Sequence, residues 1–295
     1  MSWEPHTVVT EEYLDPGPVA ALTALLGSGA RAVAAGDPLP PLWHWAALPR
    51  WSAAAETGPD GHPRRGTFLP PVELPRRMFA GGEVRLRGVL TVGAAVRREA
   101  RVLSVTPKRG RSGRLVAVVV EITLRGADGT VVERQDLLYR EAAGPVAAPP
   151  APPAVEPVGA ALARLGTGSW ELRTDPVVLM RFSAATANAH RIHYDLPYVT
   201  GVEGYPGLVV HGPLTTLALA ETLRIDDPRP PVLLRHRNLA PIFCGAAIRL
   251  GPRGDAGSTT ATAAPEAERV AIGADSTIHA VLTAAFAPPE PDPHA

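Results

Sequence analysis

The stretch from His211 to Arg224, HGPLTTLALAETLR, constrains the fold more than any other part of the chain. Pro213 suits the first turn of a helix, where its missing N–H has no partner to lose. Beyond that turn the helix is apolar or small on all sides apart from Glu221. Such a helix cannot lie on a surface and has to be enclosed by other elements. The flanking sequence supplies the enclosure. Pro231–Leu239, Ala246–Leu250, Val270–Ser276 and His279–Ala285 read as strands, and Asp175–Phe182 reads as another. The expectation is one buried helix wrapped by an antiparallel sheet.

The first half of the chain carries a similar set of parts. PVAALTALLG, from Pro18 to Gly27, has a helical start and a glycine stop. A Pro-, Gly- and Arg-rich loop follows from Ala53 to Arg77. Strand texture then runs through Glu83–Leu90, Ala95–Lys108, Arg114–Gly126 and Thr130–Glu141, with hairpin chemistry at Gly126-Ala-Asp-Gly129. Between the halves lies GPVAAPPAPPAVEP, Gly144 to Pro157, whose prolines favour an extended linker without regular structure. The expected organisation is a domain at 1–143, a linker at 144–157, a second domain at 158–287 and a fraying tail at 288–295. The fold class is α+β: a double hotdog, in which each of two antiparallel sheets wraps a central helix.

Composition narrows the functions open to such a chain. Twenty-nine basic residues balance 29 acidic ones, which argues against gripping nucleic acid or an acidic membrane surface. No apolar run approaches the ~20 residues that span a bilayer. The segment MSWEPHTVVTEEYLDPG has no basic stretch followed by an apolar one, so no secretory leader is expected. The lone Cys244 forms no internal disulfide and reads as a small buried hydrophobe. A cytoplasmic setting is expected, and a homo-oligomer is compatible with the reading. GxGxxG after a strand, GxxxxGK[ST] and GxSxG are all missing, so no nucleotide cofactor and no serine hydrolase is expected.

The densest polar constellation is RFSAATANAHRIHYD, Arg181 to Asp195, and it precedes the start of the buried helix at VVHGPL. A helix N-terminus offers free N–H groups and partial positive charge to a carbonyl that gains negative charge. Gly212 lets a substrate approach that backbone closely. His190 and His193 can move protons near neutral pH, and the amide of Asn188 can hold a water. His190, His193 and His211 also invite a metal reading, but nothing resembles HExxH, and no metal is expected. Arg64, Arg65, Arg76, Arg77 and the Lys108–Arg114 run are either phosphate-binding forks or solvated surface.

These residues resemble the motif of MaoC-like hydratases and dehydratases, Thr-Gly-Asp-x-Asn-Pro-Ile-His followed by an HG-containing helix start. Here it reads Thr186-Ala187-Asn188-Ala189-His190-Arg191-Ile192-His193, then His211-Gly212-Pro213-Leu214. The resemblance is greater to the branch of mesaconyl-CoA and itaconyl-CoA hydratases and type 2 hydroxyacyl-thioester dehydratases. Its first-half segments are matched by PLWHW (Pro41–Trp45), DGHPRRGTFLPP (Asp60–Pro71), KRGRSG (Lys108–Gly113) and QDLLYRE (Gln135–Glu141).

The resemblance implies a cofactor-free hydro-lyase acting on an enoyl or 3-hydroxyacyl thioester of coenzyme A or acyl carrier protein. It implies one site per chain, in the second half, because the first half has no second copy of the motif. His193 falls on the motif's catalytic His. Asn188 falls on its catalytic Asp and cannot act as a base. The expected roles are His193 as acid/base, Asn188 as water holder and the Gly212 N–H on the thioester oxygen, with Asp195 or His190 supplying the missing charge. Arg191, Tyr194, His211, Pro213 and Trp43 are assigned to substrate contact, core burial being the other reading of Trp43. A thioesterase on the same fold and a non-catalytic acyl-thioester-binding subunit are the alternatives.

Overall fold

The computed structural model describes residues 3–110, 113–142, 155–254 and 265–287. The first half contributes β1 (Thr7–Tyr13), α1 (Pro16–Leu26), α2 (His44–Ala47), β2 (Arg76–Gly88), β3 (Ala95–Gly110), β4 (Gly113–Arg125) and β5 (Gly129–Arg140). The second contributes β6 (Leu162–Gly166), β7 (Ser169–Leu172), α3 (Pro176–Ala185), α4 (Leu196–Gly201), α5 (Gly212–Asp226), β8 (Pro231–Asn238), β9 (Ile248–Gly251), β10 (Glu266–Gly273) and β11 (Ile278–Phe286). A single 3-10 turn, Arg191–His193, stands between α3 and α4.

All strands join one 11-stranded sheet in the order β1-β3-β4-β5-β2-β8-β11-β10-β9-β7-β6. Every pairing is antiparallel. First-half strands occupy one side of that order and second-half strands the other. They meet where β2 pairs with β8, from Gly81 opposite Arg237 to Arg85 opposite Leu233. Side chains add to this seam. Arg235 Nε donates to Glu83 at 2.8 Å, and Asn238 Nδ2 donates to the Phe79 carbonyl at 3.2 Å.

The apolar helix behaves as its sequence requires. Every residue of α5 from Leu214 to Leu223 is buried, and the helix packs across β7 to β11 and β2. The strand residues in its core, Leu250, Ala271, Ala280, Leu282 and Ala284, are likewise almost fully buried. Each leucine so enclosed stabilises the fold by roughly 2 kcal/mol. Glu221 is tolerated because Arg224 Nε and Nη2 donate to it at 2.9 and 2.7 Å, and Ser28 Oγ adds a bond at 3.1 Å. In the first half, α1 starts earlier than its sequence suggests, because Asp15 caps it by accepting from the Gly17 N–H. Gly27 ends it in the left-handed conformation. The helix packs on α2 and α3, with Leu22, Leu25 and Leu26 in the same core as Val178, Leu179 and Phe182.

One strand of the sequence reading is a helix. Asp175–Phe182 reads as β from its valines, but the chain forms α3 over Pro176–Ala185. Asp175 accepts from the Val178 N–H at 2.6 Å, and Pro176 occupies the first turn. Val178, Leu179, Phe182 and Ala185 are then buried with helical spacing. The cap outweighs β-branching. The strands β1, β6 and β7 are short and were not expected. Of the expected linker, residues 144–154 lie outside the described residues, and 155–157 carry no regular structure; the tail 288–295 also lies outside them.

Candidate active site

A cavity of about 1040 Å³ opens between the inner face of the first-half sheet, the motif loop and the start of α5. On β4 and β5, Ile122, Leu124 and Leu137 form apolar wall. Antiparallel register puts Val131, Glu133, Gln135 and Leu137 of β5 on one face, so two polar residues stand where alternation calls for apolar ones. Glu133 is almost fully buried, and three groups satisfy it. His44 Nε2 bonds one carboxylate oxygen at 3.0 Å, while Trp45 Nε1 and Gln135 Nε2 each donate to the other at 2.8 Å. Burial pushes that carboxyl up, but the bonds from His44, Gln135 and Trp45 hold it below its ordinary value.

The motif loop occupies the opposite wall. After α3 ends, Ala187 takes a left-handed backbone at φ 50°. The Asn188 Oδ1 then accepts from the His190 N–H at 3.1 Å. That bond commits the oxygen of the amide and leaves its NH₂ group for the cavity that Asn188 lines. His193 sits on the 3-10 turn, 5% exposed. Its Nδ1 lies 2.7 Å from the Val209 carbonyl oxygen, which can only accept, so the proton is on Nδ1 and Nε2 presents a lone pair. Burial drives the His193 pKa down to about 3, although the Val209 bond opposes it. The ring is therefore a neutral base at physiological pH.

His211 stacks beneath His193 at 3.6 Å between ring centroids, and its Nε2 meets Ser183 Oγ at 2.8 Å. It caps the start of α5 as a packing platform and does not reach the cavity. Gly212 and Pro213 do. Among the described residues, no backbone hydrogen bond uses the Gly212 N–H. A Cβ at Gly212 would fall 2.8 Å from Asn238 Nδ2, so glycine is needed for that close approach.

Of the residues assigned from sequence, Asn188, His190, His193, Gly212 and Pro213 line this cavity. The structure places the others elsewhere. Asp195 caps α4, accepting from the Tyr198 N–H at 3.0 Å and from Arg191 Nε at 2.9 Å. That backbone bond and the Arg191 guanidinium hold its carboxyl below the usual range, and it does not line the cavity. Arg191 spans from Asp195 to the Pro59 carbonyl and stacks over Tyr198. Tyr194 is half exposed, with its hydroxyl on the Ala189 carbonyl. Trp43 is core, 2% exposed, whereas its neighbours His44 and Trp45 face the cavity. Among the arginines, Arg65 donates to the carbonyls of Val72, Leu74 and Pro75, and Arg76 pairs with Glu203 at 2.8 Å. Arg76 also lines the cavity.

Sequence reasoning missed His62. It lies in the first-half loop, lines the cavity, and packs on His190 with ring centroids 4.1 Å apart. The loop is tied directly to the motif: Arg191 N donates to the Asp60 carbonyl at 2.9 Å. Gly61, at φ 89°, passes so close that a Cβ would overlap the Ala189 carbonyl. Asp60, His62 and His190 bring ligand atoms within 4.8 Å of one another, a spacing a metal could use. Burial, and then the half-buried Arg77 guanidinium, depress the His62 pKa; Arg77 also acts on Asp60, and its charge opposes a dication at that point.

Comparison with known proteins gives this geometry a context. The family model described as hydroxyacyl-thioester dehydratase type 2 matches residues 42–244. The chain is 43% identical over 259 residues to the mesaconyl-C(4)-CoA hydratase of Chloroflexus aurantiacus, covering 86% of this chain and 90% of that one. HtdX of Mycobacterium tuberculosis superposes with a TM-score of 0.63 at 19% identity, covering 96% of this chain and all of its own. A second M. tuberculosis protein, described as a double hotdog, superposes with a TM-score of 0.53 at 13% identity, covering 97% and 96%. The fold is a double hotdog. No helix among the described residues is long and apolar enough to cross a membrane.

Proposed function

The chain belongs to the hydroxyacyl-thioester dehydratase type 2 family, and from that premise we propose that it hydrates a short, branched enoyl thioester of the mesaconyl type, carried on coenzyme A. It is a hydro-lyase of acyl thioesters, as its family and its relative's activity indicate. The observation that carries the reading is the pairing of a neutral His193, its Nε2 unprotonated, with the unused N–H of Gly212 at the start of α5.

The steps follow from those atoms. The thioester oxygen accepts from the Gly212 N–H, which grows stronger as negative charge develops there. The Asn188 NH₂ group donates to the oxygen of a water, so that a water proton points toward His193 Nε2. His193 takes that proton as the water oxygen bonds Cβ. The electron pair of the double bond moves toward the thioester carbonyl, giving an enolate; His193 then loses the proton it took, and one proton is added at Cα, so that the elements of one water are added and His193 is neutral again. Dehydration is the same path reversed. Leu137, Leu124 and Ile122 receive the acyl portion in the first-half wall.

The test is spectroscopic. Mesaconyl-C(4)-CoA and crotonyl-CoA are offered to the full chain, and loss of enoyl-thioester absorbance is followed beside a free-thiol assay. Absorbance loss without thiol is expected. Thiol release at the same rate would establish a thioesterase instead, and His193→Ala should lower turnover by at least ~100-fold.

A further inference from the structure

We propose that His62 is a second catalytic residue of this site, with Asp60 behind it, so that the carboxylate absent at Asn188 enters from the first half of the chain. The inference rests on the hydro-lyase reading. Hydration needs one group to take a proton from water and a group at Cα to return one. Asn188 can do neither, and Asp195 is committed to capping α4. Among the groups lining the cavity, Glu133 is fully engaged by His44, Trp45 and Gln135.

The geometry of the Asp60–His62 pair is that of an oriented base. His62 Nδ1 lies 3.2 Å from Asp60 Oδ2, and the His62 N–H donates to Asp60 Oδ1 at 3.0 Å. A carboxylate only accepts, so Nδ1 carries the ring proton and Nε2 is left with a lone pair. An aspartate so placed fixes the tautomer and stabilises the imidazolium when the ring takes a second proton. Five charged or titratable groups face His62: Asp60 on its own loop, Arg65 beyond it, Arg77 from β2, and His190 and His193 from the motif loop. Burial and Arg77 hold the His62 pKa down to about 4 against the pull of Asp60. It too rests as a neutral base.

His190 stands between the two bases, 4.1 Å from the His62 ring and 5.5 Å from that of His193. Its Nε2 is buried and has no hydrogen-bond partner among the described residues. The steps then balance. His193 takes a proton from water, and the remaining hydroxyl bonds Cβ while the π pair forms the enolate. His193 gives that proton up to cavity solvent, and His62 Nε2 takes one from the same solvent, where Asp60 stabilises the imidazolium. His62 Nε2 delivers it to Cα as the enolate pair forms the new C–H bond. One water is consumed, and both rings return to their neutral forms.

The experiment compares His62→Gln, His62→Gly, Asp60→Asn and Asp60→Glu in the full chain, with kcat, KM, melting temperature and pH profile for each. His62→Gln should lose ~100-fold or more in kcat with KM little changed. His62→Gly should regain activity with added imidazole. Asp60→Asn should lower kcat at neutral pH with KM and melting temperature little changed, because Asp60 fixes the His62 tautomer and stabilises its imidazolium; Asp60→Glu should restore part of the loss. Wild-type kcat and pH profile in His62→Gln would overturn the proposal while leaving the hydro-lyase reading intact. So would activity loss that imidazole does not rescue. Activity removed by a chelator and restored by zinc would overturn it in favour of a metal at the same three residues. Absence of hydratase turnover in the unaltered chain, by contrast, removes the reading beneath it.

Discussion

Acidification should unfold this protein well before its carboxylates titrate. His193 and His236 are buried and His62 is half-buried, and desolvation lowers their pKa values to about 3, 4 and 4. In the unfolded chain each returns to about 6.5. Between those limits the unfolded state binds protons that the folded state refuses, so stability falls as pH falls below 6.5. Above 6.5 the three contribute no pH dependence. At pH 5 each has lost roughly 2 kcal/mol, or about 6 kcal/mol for the three, from a total of about 5–15 for a typical domain. His190 and His211, also pushed down by burial, add to the loss. The assay is denaturant unfolding at pH steps from 7.5 to 5. The slope near pH 5.5 should report at least about three protons taken up on unfolding. His236 separates this effect from catalysis, since neither of its buried ring nitrogens has a hydrogen-bond partner among the described residues and it does not line the cavity. His236→Leu should reduce the slope by about one proton. A stability flat from pH 7.5 to 5.5 would refute the argument that these rings stay neutral when folded.

Further outcomes follow from single contacts. Gly61→Ala should cost about 2–4 kcal/mol by calorimetry, since it combines a left-handed backbone with overlap on the Ala189 carbonyl. Gly212→Ala should displace Asn238 and lower turnover by roughly 100-fold while changing the melting temperature little. Asn188→Ala should be severely impaired in turnover, whereas Asn188→Asp should raise the His193 pKa and shift the acid limb of the pH profile upward. Glu133→Ala strands His44 and Trp45 without their acceptor and should destabilise by about 3–5 kcal/mol, read by denaturant midpoint.

Much of the architecture was legible because it rested on strong local signals. The all-apolar α5, the β3–β4–β5 run and the Gly126–Gly129 turn each carry one dominant pattern. Asp175–Phe182 was misread because two valines outweighed a cap and a proline that together start a helix. The site divided differently. Gly212 and His193, named from the helix start and the motif, do line the cavity. Asp195 could not be told from a cap, because only the position of the Tyr198 N–H decides it. His62 was hidden because its partners lie across the molecule, at His190. A signal for Glu133 did exist, a charge at an inward position of an otherwise apolar strand face.

The ladder between β2 and β8 has a mechanical consequence. Two-domain enzymes commonly close on a substrate by swinging about a strip of sparse bonding. Here the strip is itself a stretch of antiparallel sheet, so the two walls of the cavity are set at one spacing by main-chain bonds. The loop that carries His62 is tied across that frame to the motif loop by the Arg191 N–H on the Asp60 carbonyl. An enzyme built this way gains a fixed reaction frame and gives up the freedom to tighten around a smaller acyl group.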